Sequence, residues 1–254
     1  MEYDMSSFRL TTFFALPLFG CERFHNISLH QESKAGGGLS KENLKKKISE
    51  STITRLSLYY RALSQLDMEN YETVSSKHLA KREHLTPAQV RKDLSFFGSF
   101  GTRGLGYPVR ELKLKIGEIL GIEQDWNVAL VGIGNIGSAL VSYKEFARQG
   151  FKIKLLFDND QRKIGSNHKG IVISPAADLT KKLKEHKIQI VVIAVPPQQA
   201  QKVVDDVVAA GVKAILNFAP IHLKVPEDVF LRNENMAMEL EHLSFRLKNS
   251  SLTV

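Results

Sequence analysis

A single cysteine, Cys21, stands among the 254 residues. An intramolecular disulfide framework and a cysteine-rich metal site are therefore excluded. Eight histidines are scattered along the chain without ligand spacing, so no metal is expected. No apolar run approaches the length that crosses a bilayer, and the chain is read as cytoplasmic with no membrane partner. Acids are the minority charge: 35 Lys and Arg stand against 27 Asp and Glu, a net charge of +8. The excess is densest between residues 41 and 124, where 15 cations face 10 acids. That balance suits an anionic partner as well as a solvated surface. At 43% hydrophobic residues, the chain can build the core of one large or two ordinary domains. Residues 1–48 hold the apolar run TTFFALPLFGC, but Glu2, Asp4 and the interrupting Pro17 set it apart from a secretory signal. A disordered extension ending in a Gly-rich joint is expected there.

What the chain does have is centred on NVALVGIGNIG, residues 127–137. Val128 to Val131 read as a buried parallel strand, because aliphatic residues continue without polar alternation. Three glycines follow with separate tasks. Gly132 permits the tight turn, Gly134 lets the backbone approach a pyrophosphate, and Gly137 lets the next helix pack on the strand. Ile133, Asn135 and Ile136 complete the loop, and an amphipathic helix is expected from Ile136 to Arg148. FKIKLLFD forms a second strand ending in Asp158, 21 residues after Gly137, where the fold places a carboxylate on the adenine ribose. The site is expected to take NAD(H) and not NADP(H). Asp158 would set its charge against a 2′-phosphate, and Asn159 and Asp160 supply no cation, although Arg162 stands close by. Further strands over 171–174, 188–195 and 212–219 alternate with helices over 176–186 and 198–210. The fold class is α/β, a Rossmann-type doubly wound parallel sheet over 125–233. Ala194, Val195 and Pro196, together with Phe218, should flank the nucleotide at the strand ends.

The preceding segment, 49–121, reads as a winged helix. A helix from Ser51 to Leu66 places Ile53, Leu56, Tyr60, Leu63 and Leu66 on one face. A short helix follows from Lys77 to His84, and then LTPAQVRKDLSFFG. Thr86 and Gln89 have capping-box spacing and Pro87 sits at the first helical position. Val90, Leu94 and Phe97 share a face, which turns Ala88, Lys92 and Ser95 outward with Gln89 and Arg91 on the flanks. A short basic helix of this kind suits the major groove. FGSFGTRGLGYPV carries four glycines and reads as a hairpin or wing presenting Arg103, with Tyr107 at its exit. It lacks the Gly-Lys-Ser/Thr ending of a phosphate loop. Arg55 joins the candidate DNA contacts from the first helix. A last helix, 235–248, carries the stripe Met236, Leu240, Leu243 and Leu247, which must be buried on its own domain or on a partner.

TRLSLYYRAL, TPAQVRKDLSFFGSFGTRGLGY, VGIGNIGSAL, FD at 157–158, LNFAP, and VPEDV with MELEHLSFRL occur in this order. The sequence thereby resembles the redox-sensing transcriptional repressors of the Rex family over residues 49–248. The resemblance implies a homodimer whose winged helices sit on an inverted-repeat operator in double-stranded DNA and whose C-terminal helices are exchanged. It also implies repression when NAD⁺ dominates and release when NADH binds. Position by position, it assigns Gly132 to Gly137 to the pyrophosphate, Asp158 to the ribose and Phe218 to the nicotinamide. It places Tyr107 and Arg103 where wing and nucleotide couple. Asn235 stands where the family commonly has an acid. An NAD-dependent oxidoreductase is the alternative, but no His-Asp or Tyr-Lys constellation appears near a strand end, and no enzyme is expected. A CoA-binding module would share the nucleotide fold without needing the winged half.

Overall fold

The computed structural model describes residues 48–102 and 104–249. The extension expected over 1–48, apart from Ile48, and Arg103 lie outside the described residues. Helix α1 (Glu50–Met68) begins at Ser49, whose hydroxyl accepts the Thr52 N–H. Its buried face is Leu56, Tyr59, Leu63 and Leu66, with Tyr59 fully enclosed and Ile53 41% exposed. Leu56, Leu63 and Leu66 of the expected face are buried, whereas Ile53 is exposed and Tyr59 takes the fully enclosed position in place of Tyr60, its hydroxyl donating to buried Asp93. β1 (Thr73–Val74), α2 (Ser76–Arg82), α3 (Pro87–Ser95), β2 (Tyr107–Pro108) and α4 (Val109–Leu120) complete the first domain. Val74, Leu79, Val90, Leu94, Val109, Leu112 and Ile116 close its core against α1.

Gly121 ends α4 in the left-handed region at φ 71°. The Trp126 indole N–H donates to the Gly121 carbonyl at 2.7 Å, tying the joint to the second domain. There β3 (Trp126–Val131), β4 (Phe151–Asp158), β5 (Asn167–His168), β6 (Ile171–Pro175), β7 (Ile190–Ile193), β8 (Ala214–Asn217) and β9 (Phe230–Asn233) form a sheet in the order β5-β6-β4-β3-β7-β8-β9. All pairs are parallel except the β5–β6 edge. β3 is purely apolar from Val128 on because both its faces are covered. Ala129 and Val131 point into one core, and Val128 and Leu130 into the other.

Three expectations are corrected. The helix read over 136–148 is two, α5 (Asn135–Val141) and α6 (Lys144–Arg148), interrupted at Ser142 and Tyr143. The helix read over 176–186 is a 3₁₀ turn (Ala176–Asp178) leading into α7 (Leu179–Glu185). The last strand expected, over 212–219, is followed by a further one, β9, whose FLRN lacks the apolar density that marks the inner strands. α8 (Pro197–Ala209) lies where it was expected. α9 (Met236–Lys248) begins at Asn235, whose side chain accepts the Ala237 N–H at 3.0 Å, and it has no buried residue.

Candidate functional site

The chain runs from β3 outward through β4 to β6, then returns to β7 on the other side of β3. That reversal opens a crevice between the carboxyl ends of β3 and β7, where open α/β sheets take their ligands. The structure brings the sequence-predicted residues together there. Val131, Gly132, Gly134, Asp158 and the run Ala194 to Pro196 line one cavity of about 390 Å³. Backbone bonds carry the sheet beyond its strands: Gly132 N–H donates to the Phe157 carbonyl and Ala194 N–H to the Val131 carbonyl, each at 2.8 Å.

The three glycines can be told apart by what a side chain would meet. At Gly132, φ is 95° and a Cβ would lie 2.4 Å from the Ala194 carbonyl oxygen. At Gly137 it would lie 1.9 Å from the Gly132 carbonyl oxygen, so α5 can reach the strand only without one. At Gly134 it would meet nothing within 4 Å. This glycine is therefore not required by packing, and a Cβ there would project into space that a phosphate group could fill. The residues fit a dinucleotide.

Asp158 ends β4 with its carboxylate already engaged. Oδ2 accepts the Ile133 N–H at 2.8 Å and Oδ1 accepts the Asp160 N–H at 2.9 Å. The Lys163 ammonium lies 3.3 Å from Oδ2 and also donates to the Ile133 carbonyl at 3.1 Å. Burial alone would raise the carboxyl's pKa, but the two backbone donors and Lys163 outweigh it and hold it below the usual carboxylate range. Sequence reasoning missed Lys163. Arg162, the cation it did consider, is bound bidentately by Asp160. At the end of β8, Phe218 is half-buried and packs against the core cluster that includes Leu130, Ile133 and Val192. Its loop is fixed by Asn217, another missed residue, which is fully buried and bonded to both the Ala219 N–H and carbonyl and to Asn233. Tyr107, expected beside the cofactor, is not at the crevice of its own chain. It pairs with Val74 in the two-stranded sheet of the first domain and packs on that domain's core.

The second candidate site is α3. Thr86 caps it by accepting the Gln89 N–H, while the Gln89 side chain, expected to reach back to the cap or out to DNA, donates to Asp93 Oδ1 at 2.7 Å. Asp93 is fully buried. It also accepts from Arg55 Nε at 2.6 Å, Arg55 Nη2 at 2.8 Å and the Tyr59 hydroxyl at 2.8 Å. Four donors fill the four acceptor positions of a carboxylate. Burial opposes ionisation of Asp93, yet Arg55, Tyr59 and Gln89 together keep its pKa below the usual range. Arg55, expected on DNA, is thus a clamp between α1 and α3. Ala88, Arg91, Lys92 and Ser95 remain exposed on the outer face, with Arg91 donating to the Ser76 hydroxyl at 3.1 Å. Beside this face, Thr102 and Gly106 form the antiparallel bridge of the expected wing.

Comparison with known proteins covers both domains. A family model described as "Putative DNA-binding protein N-terminus" matches residues 47–95, and one described as "CoA binding domain" matches residues 123–221. The redox-sensing transcriptional repressor Rex of Desulforamulus reducens is 49% identical over 201 residues, covering 79% of this chain and 96% of its own. This chain belongs to the Rex family. The Streptomyces coelicolor Rex is 46% identical over 198 residues, covering 78% of this chain and 77% of its own. Among solved structures, the Rex-family repressor RSP in complex with β-NAD⁺ and operator DNA is similar with a TM-score of 0.78 and 36% identity. It covers 81% of this chain and 94% of that one. RSP with β-NADH gives 0.75 and 34%, with coverages of 81% and 97%. These Rex relatives are named as repressors, which favours regulation over the oxidoreductase alternative. The CoA-type model covers only the nucleotide half and leaves the winged half unexplained.

Proposed function

We propose that the protein is a homodimeric, cytoplasmic repressor that holds an inverted-repeat operator through α3 and the wing. NAD(H) in the β3–β7 crevice governs that grip: the dimer stays on DNA while NAD⁺ dominates and leaves when NADH binds. One observation carries this reading. A single chain joins a helix with an exposed Ala88, Arg91, Lys92 and Ser95 face to a crevice whose middle glycine faces open space. RSP, solved with β-NAD⁺ and operator DNA and again with β-NADH, supports both halves of it.

The residue roles follow from position. Lys92 and Arg91 meet phosphates or base edges, Ala88 and Ser95 allow close approach, and Arg103 serves from the wing. The loop from Gly132 to Gly137 receives the pyrophosphate and Asp158 the ribose hydroxyls. Ala194, Val195, Pro196 and Phe218 wall the nicotinamide end. Apolar walls penalise an unpaired charge, so they favour the neutral reduced ring over the cationic oxidised one. Affinity by itself releases nothing, because a ligand shifts an equilibrium only by its differential affinity for two states. The reduced ring must therefore suit a dimer whose recognition helices cannot span two half-sites roughly 34 Å apart. α9 is the dimerisation element, since among the described residues its apolar side chains are left exposed.

Fluorescence anisotropy on an inverted-repeat duplex, with and without each nucleotide, tests the proposal. NADH is expected to displace the protein and NAD⁺ to leave it bound. A duplex affinity indifferent to saturating NADH would overturn the reading.

A further inference from the structure

The Asp158 carboxylate carries three donors in a site meant for a ribose: the N–H groups of Ile133 and Asp160 and the Lys163 ammonium. A carboxylate has about four acceptor positions. Accepting both hydroxyls of an adenine ribose needs two of them, so one donor present now must yield. The backbone N–H groups are fixed by the loop and the turn at 2.8 and 2.9 Å. Lys163 is the longest contact, at 3.3 Å, and sits at the end of a flexible stem. Its Nζ is held in place by a second bond, to the Ile133 carbonyl, and Lys163 lines the same cavity as Gly134 and Asp158. The other nearby cation, Arg162, is paired with Asp160 and does not line the cavity.

We propose that Lys163 is a specificity-determining residue of the adenine-ribose subsite. Asp158 selects an unphosphorylated ribose by its own charge, and Lys163, yielding its place on the carboxylate to a ribose hydroxyl, stays close enough to offset part of that charge. Without the aspartate, that ammonium becomes the partner of a 2′-phosphate, and the subsite accepts NADPH. This inference rests on the NAD(H) reading above and adds the residue that sets the choice between the two dinucleotides.

The test is titration of the full chain with NADH and NADPH, comparing wild type with Asp158→Ser, Lys163→Met, and Asp158→Ser combined with Lys163→Met or with Lys163→Arg. Thermal unfolding establishes that each variant is folded. Asp158→Ser should shift preference toward NADPH by about tenfold or more, the worth of a charge-assisted bond. The double variant with methionine should lose that gain, and the one with arginine should keep it. The gain should also shrink at high salt, as a partly exposed charge pair requires. Lys163→Met in the otherwise unaltered chain should bind NADPH more weakly still, since Asp158 would face the 2′-phosphate uncompensated. An NADPH gain that survives removal of the lysine overturns the proposal, as does Lys163→Met leaving the NADH-to-NADPH ratio unmoved. Failure of wild type to bind NADH would instead defeat the nucleotide reading itself, and this inference with it.

Discussion

Helices α3 and α9 are both short, amphipathic and basic near their carboxyl ends, yet the fold treats them oppositely. α3 buries Val90 and Leu94 and is clamped to α1 through Asp93 by three hydrogen bonds from Arg55 and Tyr59, with Gln89 of α3 filling the fourth acceptor position. α9 buries nothing: Met236 is 62% exposed, Leu240 67%, Leu243 57% and Phe245 69%. Amphipathicity states that a face seeks cover, and it is silent on where the cover comes from. The difference also separates two tasks. In the function proposed above, α3 must hold its roll, because base contacts depend on side-chain direction, whereas α9 would gain its stability from a partner subunit.

The comparison can be broken first at α9. Truncation after Glu234 should abolish the dimer in sedimentation velocity and weaken operator binding with it, while far-ultraviolet circular dichroism shows the rest of the subunit still folded. Loss of folding instead would mean that α9 stabilises its own chain. Next in size is Asp93→Ala, which leaves Arg55 and Tyr59 without their buried acceptor and should cost about 3–5 kcal/mol in urea unfolding. A pH dependence accompanies it. The folded carboxyl's pKa is lowered, so Asp93 stabilises the fold above the unfolded value of about 3.9, and that contribution is lost as pH falls through the lower folded value. Wild type should therefore lose stability below about pH 4 more steeply than Asp93→Ala. Lys92→Ala, on the exposed face of α3, should leave stability unchanged. It should weaken operator binding by about 1–3 kcal/mol if the lysine reads a base, or lower the salt slope by about one unit if it meets a phosphate. The smallest effect is expected for Ser76→Ala, which removes an exposed bond to Arg91 and should change stability by less than about 0.5 kcal/mol.

Much of this protein was legible as sequence because the relevant signals are local. A Pro at the first helical position, a capping Thr86 and a glycine at each required turn act within a few residues. The apolar run of β3 and the spacing from Gly137 to Asp158 are short-range consequences of one strand-turn-helix-strand unit. β9 was not legible, because a four-residue edge strand, FLRN, is too short and too mixed in character to show a period. The break between α5 and α6 at Ser142 and Tyr143 likewise has no proline or glycine to announce it. Sequence also named Arg162, whereas Lys163 is the cation that lies on the Asp158 carboxylate, since only the turn after β4 decides which of two adjacent cations points back to it.

The sequence by itself determined the two domain classes, their order, the glycine loop and its acidic partner, since each is written in periodicity, composition and spacing along the chain. Only the tertiary structure decided which polar groups meet across it. Asp93 and Arg55 are 38 positions apart, and Ile133 and Asp158 are 25 apart. Such pairs are set by how helices roll and strands align when the core closes, because the free energy of a buried charge depends on every neighbour that folding brings to it.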